Sequence, residues 1–381
     1  MYQKYITEIE KLKENDAYRF LRETNSKGKT ILFEGKEFIN YSSNDYLGIS
    51  SDVDLWKEFI SKLPEEFLGG ACSSRLLTGN SSYYAELEKY LADIYKREAA
   101  MLINSGYHAN VGILPILATE KDLIVSDKLI HASIIDGIRL SYAKSIRFRH
   151  NDLSHLEEIL SKERKNYENV FIVTESVFSM DGDLADLKKL LEIKKKYSAF
   201  LYLDEAHAIG VFGNQGLGLC EERDLIKEID FIMGTLGKAI ASQGAFLICS
   251  NIIKEYLVNK MRSVIFTTAL PPLSILWTKK VFQKSVLLAK EREHLQKLGN
   301  YFRLKLVEIG LKTGGESQIV PVIIGENSEC IRVAEKLREN GCFLLPVRPP
   351  TVPMGTARLR FSLTADMNES DIDKVIDILK S

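Results

Sequence analysis

Phe200-Leu201-Tyr202-Leu203-Asp204-Glu205-Ala206-His207 is an apolar run of four residues that ends abruptly in two acids, an alanine and a histidine. A short apolar run without polar alternation suits a strand buried on both faces. The same pattern recurs on either side, in Ala100-Met101-Leu102-Ile103, Leu123-Ile124-Val125, Val170-Phe171-Ile172-Val173, Phe231-Ile232-Met233 and Ala245-Phe246-Leu247-Ile248. Helical patterns such as Leu153 to Tyr167 and Leu184 to Tyr197 separate these runs. Strand–helix alternation of this kind predicts an α/β fold with a mostly parallel, doubly wound sheet.

Most of the runs close on a polar cluster: Asn104-Ser105-Gly106-Tyr107, Ser126-Asp127, Thr174-Glu175-Ser176, Asp204-Glu205 and Gly234-Thr235. Ligands of open α/β sheets bind at the carboxyl ends of the strands, so a site is expected there. Helix N-caps draw on the same residue types, and not every cluster need be functional. Residues 1–42 read as an arm, a helix followed by a hairpin of Thr30-Ile31-Leu32-Phe33 and Phe38-Ile39-Asn40-Tyr41 around Glu34-Gly35-Lys36. A large domain is expected over 43–282. A smaller α+β domain follows over 283–381, with strands near Ile319–Ile324 and Leu359–Leu363 and a helix over Cys330–Asn340.

The 381 residues, 45% hydrophobic and 27% charged, describe an ordinary globular chain long enough for two or three packed units. A net charge of −1 with interspersed signs lacks the basic stripe of a nucleic-acid binder. The five lysines between Lys188 and Lys196 read as a solvated helix face. Residues 1–15 lack the apolar core of a secretory signal, and no apolar run reaches the ~20 residues of a membrane span. Five scattered cysteines without a C-x-x-C fit reduced thiols in the cytoplasm better than disulfides or a metal site.

Downstream of Asp204 and His207, the run Phe231–Met233 leads into Gly234-Thr235-Leu236-Gly237-Lys238. The segment is not a phosphate loop, because Ile232 stands where glycine is required and Ala239 where serine or threonine is. A lysine, an aspartate and a histidine at successive strand ends are the set a pyridoxal 5'-phosphate site needs. The lysine amine forms a Schiff base with the cofactor aldehyde, and the acid keeps the pyridine nitrogen protonated. Taken singly, each residue has an ordinary reading: a turn lysine, a helix-capping or ion-paired aspartate, a structural histidine. Together they point to the cofactor.

Ser105-Gly106-Tyr107 places a helix N-terminus where a phosphate can bind, although a plain strand-to-helix turn explains it equally well. His131 offers a flat ring for stacking. Arg348-Pro349-Pro350-Thr351-Val352-Pro353 and Arg358-Leu359-Arg360 carry three arginines on a stiffened backbone, suited to carboxylate or phosphate groups of a substrate. Asp181-Gly182-Asp183 lacks the ligand set of a calcium loop and reads as a turn.

Over Leu21 to the carboxyl end these motifs resemble the α-oxoamine synthases, fold-type I pyridoxal phosphate enzymes that condense an amino acid with an acyl thioester. The landmarks are Tyr41-Ser42-Ser43-Asn44-Asp45-Tyr46-Leu47-Gly48, Ser74-Arg75-Leu76-Leu77-Thr78-Gly79, Asn104 to Asn110, His131-Ala132-Ser133, Phe178 to Asp183, Asp204 to His207 and Gly234 to Lys238. The Arg348–Pro353 and Gly355–Arg360 segments resemble the biotin-pathway branch, which implies L-alanine and pimeloyl-CoA (or pimeloyl-carrier protein) as substrates. By resemblance Lys238 carries the cofactor, Asp204 pairs with the pyridine nitrogen, His207 and Ser179 meet the phenolic oxygen, and His131 stacks on the ring. Gly106, Tyr107 and Thr235 hold phosphate, and Thr268 reaches a neighbouring subunit's phosphate in a homodimer. Arg22, Asn44, Thr351 and Arg360 are the implied substrate contacts. Tyr84 and the glycine-poor Ala239–Gly244 depart from the family pattern. A relative using glycine or serine, and more distantly an aminotransferase or a non-catalytic binding protein, are the competing readings.

Overall fold

The computed structural model describes residues 2–65, 69–349 and 351–381, so Pro350 of the arginine–proline motif lies outside the described residues. The strands in chain order are β1 (Asn25–Lys27), β2 (Thr30–Phe33), β3 (Lys36–Asn40), β4 (Ala99–Ile103), β5 (Leu123–Asp127), β6 (Lys144–Phe148) and β7 (Val170–Glu175). They continue with β8 (Phe200–Asp204), β9 (Phe231–Thr235), β10 (Ala245–Cys249), β11 (Ile319–Gly325), β12 (Cys342–Phe343), β13 (Pro346–Val347) and β14 (Ala357–Ser362). The chain divides into two compact units, one of Asp52–Ser179 and Leu184–Arg292, the other of Met1–Ser51, Met180–Asp183 and Glu293–Ser381.

The first unit is built on a seven-stranded sheet in the order β4-β10-β9-β8-β7-β5-β6. The pairs from β9 through β6 are parallel, and β10 runs antiparallel to both of its neighbours. Strands β4, β5, β7 and β10 are buried at every residue, including the polar ends Ser126-Asp127 of β5 and Thr174-Glu175 of β7. On one face Met101, Val173, Tyr202, Met233 and Leu247 pack against Ile113, Ile134 and Leu257 of three helices. On the other, Phe246 packs against Tyr95 and Phe282, with ring centroids 5.7 and 6.0 Å away. The edge strand β6 escapes sequence reading because Lys-Ser-Ile-Arg-Phe is charged and largely exposed, with little to mark it as a strand. Lys189, Lys194, Lys195 and Lys196 of the helix Leu187–Tyr197 form ion pairs with Glu192, Asp230, Glu228 and Glu157, while Leu187, Leu190, Leu191 and Ile193 face the core.

In the second unit the arm hairpin is joined to the C-terminal segment. Glu34 and Gly35 both take positive φ (50° and 73°), the two-residue turn that matches strand twist, and β2 and β3 pair antiparallel around it. A lone hairpin is marginal in water. Here β12 adds to β3 in parallel, and Phe33, Phe38 and Phe343 close a small aromatic core. The arm is therefore not a body of its own. A second sheet, β11-β14-β13, is antiparallel throughout.

The sequence-based boundary at 282/283 differs from the division at 292/293. Phe282 is buried against Tyr90 and Phe246, and the Arg292 guanidinium donates to the Ser285 and Val286 carbonyls (2.7 and 3.2 Å). These contacts keep the helix Pro272–Val286 with the seven-stranded sheet.

The helices Gly106–Leu117 and Ala132–Leu140 approach so closely at Gly137 that an added Cβ would lie 2.2 Å from the Asn110 carbonyl oxygen. Backbone cannot yield as a flexible side chain can. Gly137→Ala is expected to lower stability by about 1–3 kcal/mol, read from urea midpoints.

Candidate active site

The loop Leu236–Gly244 joins the antiparallel strands β9 and β10 and carries Lys238. Its reversal is held by Leu236 N–H donating to Gly244 O, Ser242 N–H to Leu236 O and Ala241 N–H to Lys238 O (2.9, 2.9 and 2.8 Å). Ala241 and Gly244 supply the positive φ angles the reversal needs (44° and 110°). The Trp277 indole N–H donates to Ala241 O at 3.0 Å, and Ser242 Oγ meets Thr278 Oγ1 at 2.7 Å. The lysine thus projects from a braced loop at the carboxyl end of β9, and its Nζ lies 2.9 Å from His207 Nε2.

Asp204 ends β8 and is buried, as is Glu175, its partner across the ladder at the end of β7. Two buried carboxyls on adjacent strands cannot both ionise cheaply. Burial, then the Asp204 charge, push the Glu175 carboxyl well above the ordinary carboxylate range, against the Lys238 ammonium and the His131 N–H, which favour its charge. Glu175 Oε1 accepts a short hydrogen bond from the His131 backbone N–H. Asp204 receives a donor on each oxygen: Oδ2 accepts from Asn110 Nδ2 (3.0 Å) and Oδ1 from Ala206 N–H (2.9 Å).

His131 caps the helix Ala132–Leu140, its Nδ1 lying 2.8 Å from Ser133 Oγ and accepting from Ser133 N–H at 3.3 Å. Desolvation, then the Lys238 charge, hold its imidazole below the ordinary histidine value, while Asp204 pulls the other way. Ser105 caps the helix Gly106–Leu117 through the His108 N–H (3.1 Å). A Cβ on Gly106 would meet nothing nearer than Thr235 Oγ1 at 3.7 Å, so the space before that N-terminus is open. The Tyr107 side chain is exposed and donates to Asp136 at 2.8 Å, leaving its backbone N–H as its contribution to an anion.

Gly106, Tyr107, His131, Asp204, His207, Thr235 and Lys238 line one cavity of about 170 Å³ together with Asn110, Ser133 and Glu175. Ser179 and Thr268 are not among its lining residues. Thr268 is exposed, bridged to Ser74, and its carbonyl accepts from Asn104 Nδ2 at 2.6 Å. Asn110, Ser133, Glu175 and the Tyr202 behind them escape residue-by-residue reading, although the first three fall inside strand-end and landmark segments.

The remaining expected residues belong to the second unit. Both Arg360 Nη atoms donate to Asn44 Oδ1 (3.3 and 3.2 Å), and Nη1 also donates to Ser362 Oγ. Arg22 and Thr351 line a cavity of about 540 Å³ with Arg19, Arg338, Arg348 and Leu344. Arg22 stacks over Phe20 at 4.0 Å, and its buried Nε has no hydrogen-bond partner. Burial, then repulsion from Arg338 and Arg348, lower its pKa.

The sequence profile of the family described as aminotransferase class I and II matches residues 36–379. The chain is 49% identical to 8-amino-7-oxononanoate synthase of Chlorobaculum parvum, over 98% of this chain and 97% of that one. The chain belongs to the α-oxoamine synthase family. Among solved structures, the serine palmitoyltransferase of Sphingomonas wittichii superposes with a TM-score of 0.91 at 29% identity, covering 100% of this chain and 96% of that one. The 8-amino-7-oxononanoate synthase of Francisella tularensis gives 0.78 at 31%, over 90% and 97%. An α-oxoamine synthase is a fold-type I acyltransferase that uses pyridoxal phosphate. The donor set fits that cofactor: an amine for its aldehyde, a buried carboxylate for its ring nitrogen, and an open helix N-terminus for its phosphate.

Lys238→Ala is expected to abolish covalent attachment. After borohydride reduction the wild-type protein should gain one cofactor mass and the variant none, by intact-mass spectrometry. Glu175→Gln tests the buried acid pair. The unfolded chain releases the Glu175 proton near 4.5, whereas the folded protein keeps it to higher pH, so this group costs stability as pH rises above 4.5. The glutamine variant should gain stability relative to wild type with rising pH above that point, and parallel urea-midpoint curves would refute the pairing.

Proposed function

We propose that this chain condenses L-alanine with a pimeloyl thioester, on CoA or a carrier protein, to give 8-amino-7-oxononanoate, carbon dioxide and the free thiol. What carries the reading is a cavity presenting Lys238 Nζ, His207 and a buried Asp204 together, in a chain nearly half identical to a synthase of that name. Pyridoxal phosphate, when bound, supplies an electron sink at the amino-acid α-carbon. The residues do the rest. Lys238 Nζ takes the α-proton and later returns it, with His207 Nε2 as its hydrogen-bond partner. Asp204 would hold a proton on the ring nitrogen, and His131 would pack over the ring. Backbone N–H groups at Gly106 and Tyr107 and the Thr235 hydroxyl would hold the phosphate. By the family resemblance Ser179 and Thr268, outside the cavity lining, would complete the cofactor contacts, Thr268 across a homodimer.

In the second unit, Arg360, held by Asn44, suits a carboxylate. Arg22 and Thr351 suit the acyl thioester, because the crowded guanidiniums around their cavity favour an anionic group. Residence in the cytoplasm belongs to the same proposal, in keeping with five free cysteines, four of them buried.

The high structural similarity to serine palmitoyltransferase favours one competing reading, a synthase taking serine and a longer acyl chain. Free thiol and carbon dioxide should be measured with L-alanine, glycine or L-serine against pimeloyl-CoA, pimeloyl-carrier protein and palmitoyl-CoA. Release with L-alanine and a pimeloyl thioester is expected. Turnover confined to L-serine with palmitoyl-CoA would replace the proposal, and amino transfer without thiol release would make the protein an aminotransferase. Arg22→Ala should raise the KM for the acyl thioester by roughly tenfold or more, the loss of one charged hydrogen bond, while leaving cofactor affinity unchanged.

A further inference from the structure

Behind the cavity lies a hydrogen-bonded chain in which each polar group has a defined partner. Asn110, Tyr202 and Ser133 are buried, at 1%, 0% and 1% exposure. Tyr202 O–H donates to Asn110 Oδ1 at 2.6 Å. The two N–H groups on Asn110 Nδ2 go to Asp204 Oδ2 (3.0 Å) and Ser133 Oγ (2.9 Å). Ser133 Oγ lies 2.8 Å from His131 Nδ1.

The directions of the bonds in this chain follow from one amide and from the Ser133 backbone N–H. Burial pushes the Tyr202 phenol well above its ordinary value, so it stays a donor and the Asn110 oxygen faces it. A flipped amide would aim that oxygen at the Asp204 carboxylate, acceptor against acceptor. With Nδ2 donating to Ser133 Oγ, the serine hydrogen is free to point at His131 Nδ1. That nitrogen also receives the Ser133 N–H, so the ring hydrogen belongs on Nε2.

We propose that Asn110 is a positioning residue whose single side-chain amide orients the Asp204 carboxylate and, by donating to Ser133 Oγ, reinforces the Nε2–H tautomer that the Ser133 backbone N–H favours at His131. The two cavity groups on which a flat cationic heteroaromatic ring would rest are thereby coupled to the same buried side chain. The tautomer part stands on the protein alone; the cofactor readout rests on the pyridoxal reading of the cavity.

Asn110→Leu keeps the branched side-chain shape and removes both donors together with the oxygen that accepts from Tyr202. Selective 15N-histidine NMR of the apoprotein, with His131 assigned by its loss in His131→Gln, reads the tautomer among six histidines. Fluorescence titration of the same apoprotein with pyridoxal phosphate reads affinity. The variant is expected to populate more of the Nδ1–H tautomer of His131 than wild type and to bind the cofactor roughly tenfold or more weakly, the scale of one or two lost hydrogen bonds to a charged group. A shift in neither readout overturns the proposal. So does weaker binding with an unchanged tautomer, which is what simple loosening would produce. If Asn110→Leu does not fold, Tyr202→Phe removes only the group that orients the amide. It should move both readouts in the same direction by less, and no movement in the tautomer overturns the proposal. A wild-type protein that takes up no pyridoxal phosphate would sink the cofactor reading and leave the tautomer test standing.

Discussion

A buried carboxylate at the end of β8 is the constraint around which the sheet unit is organised. An ionised Asp204 has little water around it and must find its compensation in the protein. Its neighbour on β7, Glu175, is the wrong charge for that purpose and is pushed toward its neutral form instead. Compensation comes from the Asn110 amide and the Ala206 N–H. Parallel pairing in register puts the two acids side by side, so the asymmetry between them follows from the sheet and from which of them receives donors.

Lys238 depends on a second constraint, the tight reversal from β9 to β10. Gly234 lies against Phe246 so closely that a Cβ would fall 2.4 Å from the ring. The loop that follows is pinned by its own backbone bonds, by Trp277 and by Thr278. A lysine on a slack loop would lose rotamer and backbone freedom on engaging a ligand. Here the backbone share of that cost is met in folding, and His207 already orients the amine.

The second unit solves a different electrostatic problem. The whole chain is nearly neutral, yet Arg19, Arg22, Arg338 and Arg348 converge on one cavity. Partial answers exist within the protein: Arg19 donates to Thr351 Oγ1, Arg348 to the Asp16 carbonyl, and Arg338 pairs loosely with Glu335. Arg22 has the face of Phe20 and the charge of Glu34, and its buried Nε has no hydrogen-bond partner among the described residues. Arg360, by contrast, is held in a fixed fork by Asn44 and Ser362.

The residues alone determined the parallel sheet, because strands buried on both faces must be apolar throughout, and they marked Asp204, His207 and Lys238 as polar breaks at strand ends. The arm hairpin was equally legible, since Glu34-Gly35 admits the positive φ angles of a two-residue turn. The exposed edge strand β6 was not, because its charges give no alternating or apolar signal. Tertiary structure alone decided that the arm joins the C-terminal segment, through pairing of β3 with β12 between residues some 300 positions apart. It also decided that Glu175 is the one of the two adjacent acids pushed toward its neutral form, and that Asn110 and Ser133 line the cavity with Tyr202 behind them. Those outcomes rest on through-space distances of about 3 Å between groups far apart in the chain, and local residue patterns carry no record of such distances.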